Sequence, residues 1–266
     1  MLAVDFAQLS DRGLVRPHNE DYLGYVLPSS PEQIRSHGWL FTLADGVGGQ
    51  RQGEVASRAA VEEVLAGFRR APPFKSHGPL LTHLVQAANA RICDAEAMAG
   101  PAGAGMASTI VICALRFDRA TIAHVGDSRC YLIRKNEARA LTNDHTVANE
   151  HLHLGILSKA EAESASTRHI LSRSLGNGLF VKVDVKEVQI QPGDVLMLCS
   201  DGLHGAVSAG EIARTVNHGR DLEAAARELV ATANQQDGGD NVSLQLIAVR
   251  EVERIGMYRG RPYKLR

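Results

Sequence analysis

Apolar positions along this 266-residue chain follow two periods that alternate in blocks. Strand-like runs of period two come first, at Val4–Ser10, Tyr22–Leu27 and Trp39–Ala44. The Pro/Ser-rich stretch Pro28–Ser36 reads as a loop between the second and third. A helical period then covers Gly53–Phe68, with Ala56, Ala60, Val61, Val64, Leu65 and Phe68 on one face, and Pro72 and Pro73 end it. A second helix over Leu80–Met98 gathers Leu81, Leu84, Val85, Ala88 and Ile92, and Gly100–Gly105 reads as a flexible loop. Strands return at Thr109–Phe117, Thr121–Val125 and Cys130–Arg134.

Asn143–Gly176 breaks the pattern: it is polar and His-rich, the composition of an inserted flap of short helices and loops. Val181, Val183 and Val185 then alternate, and the phase slips before Val188 and Ile190, which predicts a β-bulge. Val195–Cys199 and Val242–Val249 read as buried strands, Ala209–Asn217 and Leu222–Asn234 as helices. Helices grouped between runs of antiparallel strands, without strict βαβ alternation, favour an α+β fold with layered sheets.

Composition narrows the function classes. At 44% hydrophobic residues the chain can bury a sizeable core. A formal net charge of −1 supplies no field for nucleic acid or anionic lipid. No run reaches the ~18 apolar residues of a membrane span, and the start MLAVDFAQLSDRG lacks a signal peptide's basic and apolar regions. Cys93, Cys113, Cys130 and Cys199 show no CxxC spacing, so buried free thiols are expected rather than a zinc site or disulfides. A cytoplasmic protein without nucleic-acid partners is the resulting expectation.

The candidate chemistry is acidic. RPHNED at Arg16–Asp21, ADGVGG at Ala44–Gly49, VGDSR at Val125–Arg129, CSDG at Cys199–Gly202 and GGDN at Gly238–Asn241 each set an Asp at the edge of an apolar run. Taken singly, each Asp-Gly pair is an ordinary turn signal. Taken together, carboxylates at strand ends beside glycines would make a hard-cation site. Two carboxylates about 5 Å apart repel by roughly 3 kcal/mol at an effective dielectric near 20. Four grouped residues therefore store about 20 kcal/mol of repulsion, as much as the ~5–15 kcal/mol stability of a domain. Cations or protons must offset it, and all-oxygen ligands select Mg²⁺ or Mn²⁺ over zinc. The stretch GVGGQRQG lacks the GK[ST] ending of a phosphate-binding P-loop.

The order and wording of SDRGLVRPHNED, LADGVGGQRQGEVAS, AHVGDSRCYLIR, LTNDHT, ILSRSLG, GDVLMLCSDGL and GGDNVSL resemble the bacterial form of the type 2C metal-dependent serine/threonine protein phosphatases, over about Ser10 to Val249. The resemblance implies a four-layer α-β-β-α sandwich with two central antiparallel sheets, as one catalytic domain over 1–250 with a flap at about 143–176. A basic tail at 251–266 follows. It also implies two Mn²⁺ or Mg²⁺ ions sharing a bridging water. On the matching positions Asp45 would bridge both ions, the Gly46 carbonyl would bind one, and Asp201 and Asp240 would hold the other. Glu20 and Asp21 would act through metal-bound waters, Asp127 with Asp201 would take a third, weaker ion, and Arg16 would clamp the substrate phosphate.

The implied partners are phosphoproteins and an opposing serine/threonine kinase, with the phosphatase a monomer. The alternative is a non-catalytic relative that binds phosphoprotein without hydrolysis. Val47 stands where many eukaryotic relatives carry a His proposed as general acid, so the resemblance assigns no proton donor. Other candidates read as structural. His145 belongs to the flap's packing, Arg129 is a salt-bridge or strand partner rather than a phosphate ligand, and Cys199 is a core thiol rather than a nucleophile.

Overall fold

A computed structural model describes residues 1–47, 52–73, 76–100, 105–258 and 261–264, with side chains up to residue 255. Residues 48–51 of the glycine-rich GVGGQRQG stretch and 101–104 of the expected flexible loop lie outside the described residues. Two five-stranded antiparallel sheets stack face to face. One is ordered β1 (Ala3–Asp11), β10 (Val242–Glu251), β9 (Val195–Cys199), β6 (Arg129–Arg134), β7 (Glu137–Ala140). The other runs β2 (Asp21–Val26), β3 (Trp39–Asp45), β4 (Ile110–Arg116), β5 (Arg119–Val125), β8 (Asp184–Gln189).

Each strand sends alternate side chains to opposite faces, and this divides the interior into three apolar layers. Phe41, Leu43, Val111, Leu115, Leu196, Leu198 and Ile247 meet between the sheets. The even positions of β3 and β4 (Leu40, Ala44, Ile110, Ile112) face outward. There they pack on α2 (Gly53–Arg70) and α3 (His77–Ala99) through Val61, Val64, Leu84, Val85 and Ala88. On the far side, Met197, Leu244 and Leu246 pack on α6 (Asp201–His204), α7 (Ala209–His218) and α8 (Leu222–Gln236) through Leu203, Ile212, Leu229 and Ala233. The sequence's layered α+β expectation is thus a helix–sheet–sheet–helix sandwich. Among the described residues, no helix is long and apolar enough to cross a membrane.

Local structure departs from the sequence reading at four places. Pro28–Ser36 is not all loop: Pro31–Ser36 forms a short helix, α1, because Ser30 accepts the Gln33 amide as N-cap and Pro31 is pre-set for the first turn. β7 escapes the periodicity because EARA is polar and lies at a sheet edge, where one side needs no apolar cover. No bulge interrupts β8, whose register with β5 runs without a shift from Arg119↔Gln189 to His124↔Asp184. The phase slip instead marks where the strand begins. Val181 and Val183 precede it and pack toward α3, while Val188 joins the layer between the sheets. At the C-terminus, β11 (Ile255–Tyr258) and β12 (Arg261–Lys264) pair as an antiparallel ribbon.

The flap holds α4 (Val147–His153) and α5 (Lys159–Ser164), both capped at their start by a hydroxyl side chain, Thr146 and Ser158. The strand directions settle where the chemistry sits. β2 begins, β3 ends, β5 ends, β6 begins, β9 ends and β10 begins at one end of the sandwich, and all five acidic segments lie at those termini.

Candidate metal centre

Asp21 and Asp45 are cross-strand partners at the first rung of the β2–β3 ladder. The Asp45 backbone is fixed from both sides: its amide donates to Thr109 Oγ1 at 3.0 Å, and its carbonyl accepts the Thr109 amide at 2.8 Å and Ser108 Oγ at 2.9 Å. The next residue must be glycine. A Cβ at Gly46 would meet the Gly53 carbonyl oxygen at 2.2 Å, so the start of α2 approaches only because no side chain stands there. The Gly46 amide donates to the Glu20 carbonyl at 3.0 Å, and Ser57 Oγ donates to the same carbonyl at 2.6 Å. β2, β3 and α2 are thereby tied at the site.

From the other sheet, Asp201 opens α6 directly after β9, and its carboxyl hydrogen-bonds Asp45 across the mouth of the sandwich. Asp240 precedes β10 and forms an ion pair with Arg16 at 2.8 Å. Asp127 lies in the turn between β5 and β6. Arg16, Glu20, Asp21, Asp45, Gly46, Asp127, Asp201 and Asp240, distant in sequence, all arrive at one end of the molecule. The Arg16–Asp240 pair has no counterpart in the sequence reading, which gave the two residues separate tasks.

The electrostatics are those of crowded carboxylates under partial burial. Burial pushes Asp21 up to about 7, with Asp201 and Asp240 adding to the shift. Asp127 is pushed up to about 8 by burial, then by Asp201 and Asp144. Asp45 stands well above the usual carboxylate range through burial and the charges of Asp21, Asp201 and Asp127. Asp201 is raised by burial and by Asp240, and Glu20 by burial and by Glu54. Without counter-charge this cluster takes up protons.

A cation fits it better. Asp21 Oδ2 accepts from Ser200 Oγ at 2.8 Å, but its buried Oδ1 has no partner among the described residues. An orphaned buried carboxylate oxygen is costly, and here it belongs to a group of oxygen donors with no Cys or His among them. That donor set matches Mg²⁺ or Mn²⁺.

A second cluster is the tightest His/Asp grouping among the described residues: ligand atoms of His124, His145 and Asp184 lie within 4.8 Å of one another. Its geometry is not that of a metal site. The two imidazoles stack at 4.6 Å with an interplanar angle of 15°, so their in-plane lone pairs run side by side rather than converging. His145 Nδ1 accepts the Gly126 amide, His124 Nε2 bonds the Asn143 carbonyl, and Arg173 lies 2.9 Å from both His145 Nε2 and Asp184. The guanidinium already supplies the positive charge. This cluster ties the flap to β5, as expected for His145.

Three residues the sequence left without a role support the centre. Asn241 Oδ1 accepts the Glu20 amide at 2.8 Å, and its Nδ2 donates to the carbonyls of Arg12 at 2.8 Å and His18 at 2.9 Å. One carboxamide thus holds both ends of the loop that carries Arg16, and an Asn directly after the motif Asp was the available signal. Asp144 takes Arg129 in two hydrogen bonds, at 2.9 and 2.6 Å, which confirms Arg129 as a salt-bridge residue. His204, held neutral by burial, bonds the Asp127 carbonyl at 3.0 Å through Nε2. Cys199 is fully buried and its thiol is pushed up to about 12 by burial, so no nucleophilic thiolate forms there.

Comparison with known proteins agrees with this geometry. The family model described as Protein phosphatase 2C matches residues 18–246. The chain is 35% identical over 258 residues to the serine/threonine phosphatase stp of Listeria welshimeri, covering 95% of this chain and 96% of that one. Its fold matches the S. agalactiae serine/threonine phosphatase with a TM-score of 0.84 at 28% identity, over 93% of this chain and 100% of that one. It also matches the catalytic domain of the serine/threonine protein phosphatase PstP in complex with two manganese ions, with a TM-score of 0.80 at 29% identity, over 94% of this chain and 100% of that one.

Proposed function

Since the chain belongs to the protein phosphatase 2C family, we propose that it hydrolyses phosphoserine and phosphothreonine in proteins in a metal-dependent reaction, opposing a serine/threonine kinase. The observation that carries this reading is the gathering of Asp21, Asp45, Asp127, Asp201 and Asp240 at one end of the sandwich, with Arg16 paired to Asp240. Oxygen donors alone form the cluster, and one of them, Asp21 Oδ1, is buried without a partner.

Asp45 with the Gly46 carbonyl, and Asp201 with Asp240, are the groups that would hold two Mn²⁺ or Mg²⁺ ions. Glu20 and Asp21 would hold the water shell, and Asp127 with Asp201 would take a third ion. Bound there, the ions supply Lewis-acid neutralisation of phosphoryl charge and acidify a water. The chain's own contributions are binding and positioning. Arg16 offers a planar, permanently charged fork to the phosphate oxygens. Ser200 fixes the Asp21 carboxylate, and Thr109 with Ser108 fixes Asp45. Fixed donors are what electrostatic catalysis needs, since nothing then reorganises as charge develops.

The domain carrying the activity is residues 1–250, with the flap at 143–176 as a wall of the site. A cavity of about 510 Å³ between the two is lined from the core by Asp127, Asp201 and Asp240 and from the flap by Lys159, Arg168 and His169. An intact carboxylate set disfavours a binding-only relative, which has no use for it. The test is release of phosphate from phosphothreonine peptides with and without Mn²⁺. Turnover that needs the metal and stops on chelation is expected, and turnover undiminished by thorough chelation overturns the reading.

A further inference from the structure

Between β1 and β2 the chain crosses the mouth of the site as Arg12–Glu20, where polar contacts fix its backbone and the Leu14 side chain lies against Gly238. Asn241 braces both ends of the loop. Gly13, at φ +76°, lies so close to the neighbouring chain that a Cβ would sit 2.1 Å from the Asp240 carbonyl oxygen. The Leu14 amide donates to the Gly238 carbonyl at 2.9 Å. On this fixed backbone Leu14 and Val15 stand 70% and 72% exposed, directly before Arg16, and neither joins any of the three apolar layers. A loop needed only to position Arg16 has no use for two adjacent branched aliphatics in water. Exposed apolar side chains beside a site give a ligand's apolar group area to bury against.

We infer that Leu14 and Val15 form an apolar subsite for a side chain flanking the phosphorylated residue, so that preferred substrates carry an aliphatic or aromatic residue within two positions of the phosphoserine or phosphothreonine. The inference rests on the phosphatase reading and on Arg16 as the phosphate contact. Leu14 and Val15 adjoin Arg16 in the chain, so with the phosphate on Arg16 a residue close to the phosphorylated one passes beside this pair. An apolar occupant follows because Leu and Val offer no hydrogen bond to replace the water a polar side chain would lose. The surface is continuous with the acidic centre through the Arg16–Asp240 pair and the Gly13–Asp240 contact.

The test compares Mn²⁺-loaded wild type on two neutral phosphothreonine peptides, identical except for Leu or Ser at the flanking positions, with p-nitrophenyl phosphate as a substrate lacking flanks. Burial of one aliphatic flank predicts a preference for the Leu peptide of about three- to tenfold in kcat/KM, expressed mainly in KM. The double variant Leu14→Ser/Val15→Ser should bring the ratio of the two peptides to near one, while Leu14→Ile/Val15→Ile should retain it. Equal kcat/KM in wild type, or a preference that survives both serines, overturns the subsite. Wild type that turns over p-nitrophenyl phosphate without discriminating the peptides sinks the subsite alone. No Mn²⁺-dependent turnover of any of the three sinks the phosphatase reading and the subsite with it.

Discussion

Removing metal and changing pH act on the same carboxylates, and the direction of their joint effect on stability is fixed by the structure. In the metal-free protein Asp21 titrates at about 7 and Asp127 at about 8, against about 3.9 for an aspartate in an unfolded chain. Each therefore keeps its proton longer folded than unfolded. The stability it contributes is complete below about pH 4 and is lost as pH rises through 7 and 8. The buried imidazoles act in the opposite sense. Burial lowers His77, His145 and His204 to about 4, so their contribution is present above about pH 6.5 and lost as pH falls toward 4. Buried thiols enter only above about pH 8, because Cys199 is pushed up to about 12 while an unfolded thiol ionises near ~8.5.

Between about pH 6.5 and about pH 8 the carboxyls outweigh the imidazoles, each of which still gains about 0.4 kcal/mol there as its unfolded form finishes deprotonating. Across that window Asp21 loses about 1 kcal/mol and Asp127 about 1.5 kcal/mol of stabilisation, and Asp45, raised as well, adds in the same direction. Set against the imidazoles, the net loss of about 1 kcal/mol or more lowers the melting temperature of a domain of this length by about 2–5 °C. Thermal melts in excess chelator across the window measure it, with Asp127→Asn expected to remove its share of the slope. Saturating Mn²⁺ should abolish or reverse the slope, because the cation binds the ionised carboxylates and stabilises only the folded chain. A metal-free melting temperature that stays flat or climbs over this range, or a slope untouched by Asp127→Asn, refutes the argument.

Three further outcomes are expected. Asp45→Ala and Asp201→Ala should each reduce phosphopeptide turnover to background with the fold intact by circular dichroism, and near wild-type rates in excess Mn²⁺ would exclude them as ligands. Arg16→Ala should raise KM by about 10- to 100-fold with a smaller change in kcat, as loss of a charged hydrogen bond worth ~1.5–3 kcal/mol predicts; an unchanged KM would remove Arg16 from phosphate binding. Asn241→Ala deprives the Glu20 amide and the Arg12 and His18 carbonyls of their shared partner. It should cost about 1–3 kcal/mol in denaturant melts and weaken Mn²⁺ binding by calorimetry, and wild-type affinity would show that the loop holds itself.

The fold was legible where apolar period and burial coincide. β3, β4, β9 and β10 are buried on both faces, and their predominantly apolar runs announced them; α2 and α8 each turn one apolar face to a sheet and were equally plain. What escaped was structure held by other forces. α1 exists through its Ser30 cap and Pro31, with no buried residue to signal it. β7 is a polar edge, and its pairing depends on backbone hydrogen bonds that leave no mark in side-chain pattern. The phase slip after Val185 misled because Val181 and Val183, outside any strand, pack on a different layer from Val188.

For the centre, the sequence displayed the parts but not the means of assembly. An Asp beside a Gly at a strand end is visible as text; that six such ends lie together requires the antiparallel order of both sheets. Resemblance stood in for that information, and the topology now supplies its physical cause. The connections that complete the centre join residues more than 200 positions apart, Arg16 to Asp240 and Glu20 to Asn241. Their sense is electrostatic as well as geometric. A cluster that repels itself must be clamped by its own chain before any ion arrives. Here the clamps are a guanidinium on Asp240, the Thr109 and Ser108 hydrogen bonds that pin the Asp45 backbone, and a carboxamide bracing the loop between the sheets. Carboxylates held in this way are raised in pKa by burial first and by one another second, against the pull of the hydrogen bonds that hold them, so the packing that builds the site also sets its appetite for cations.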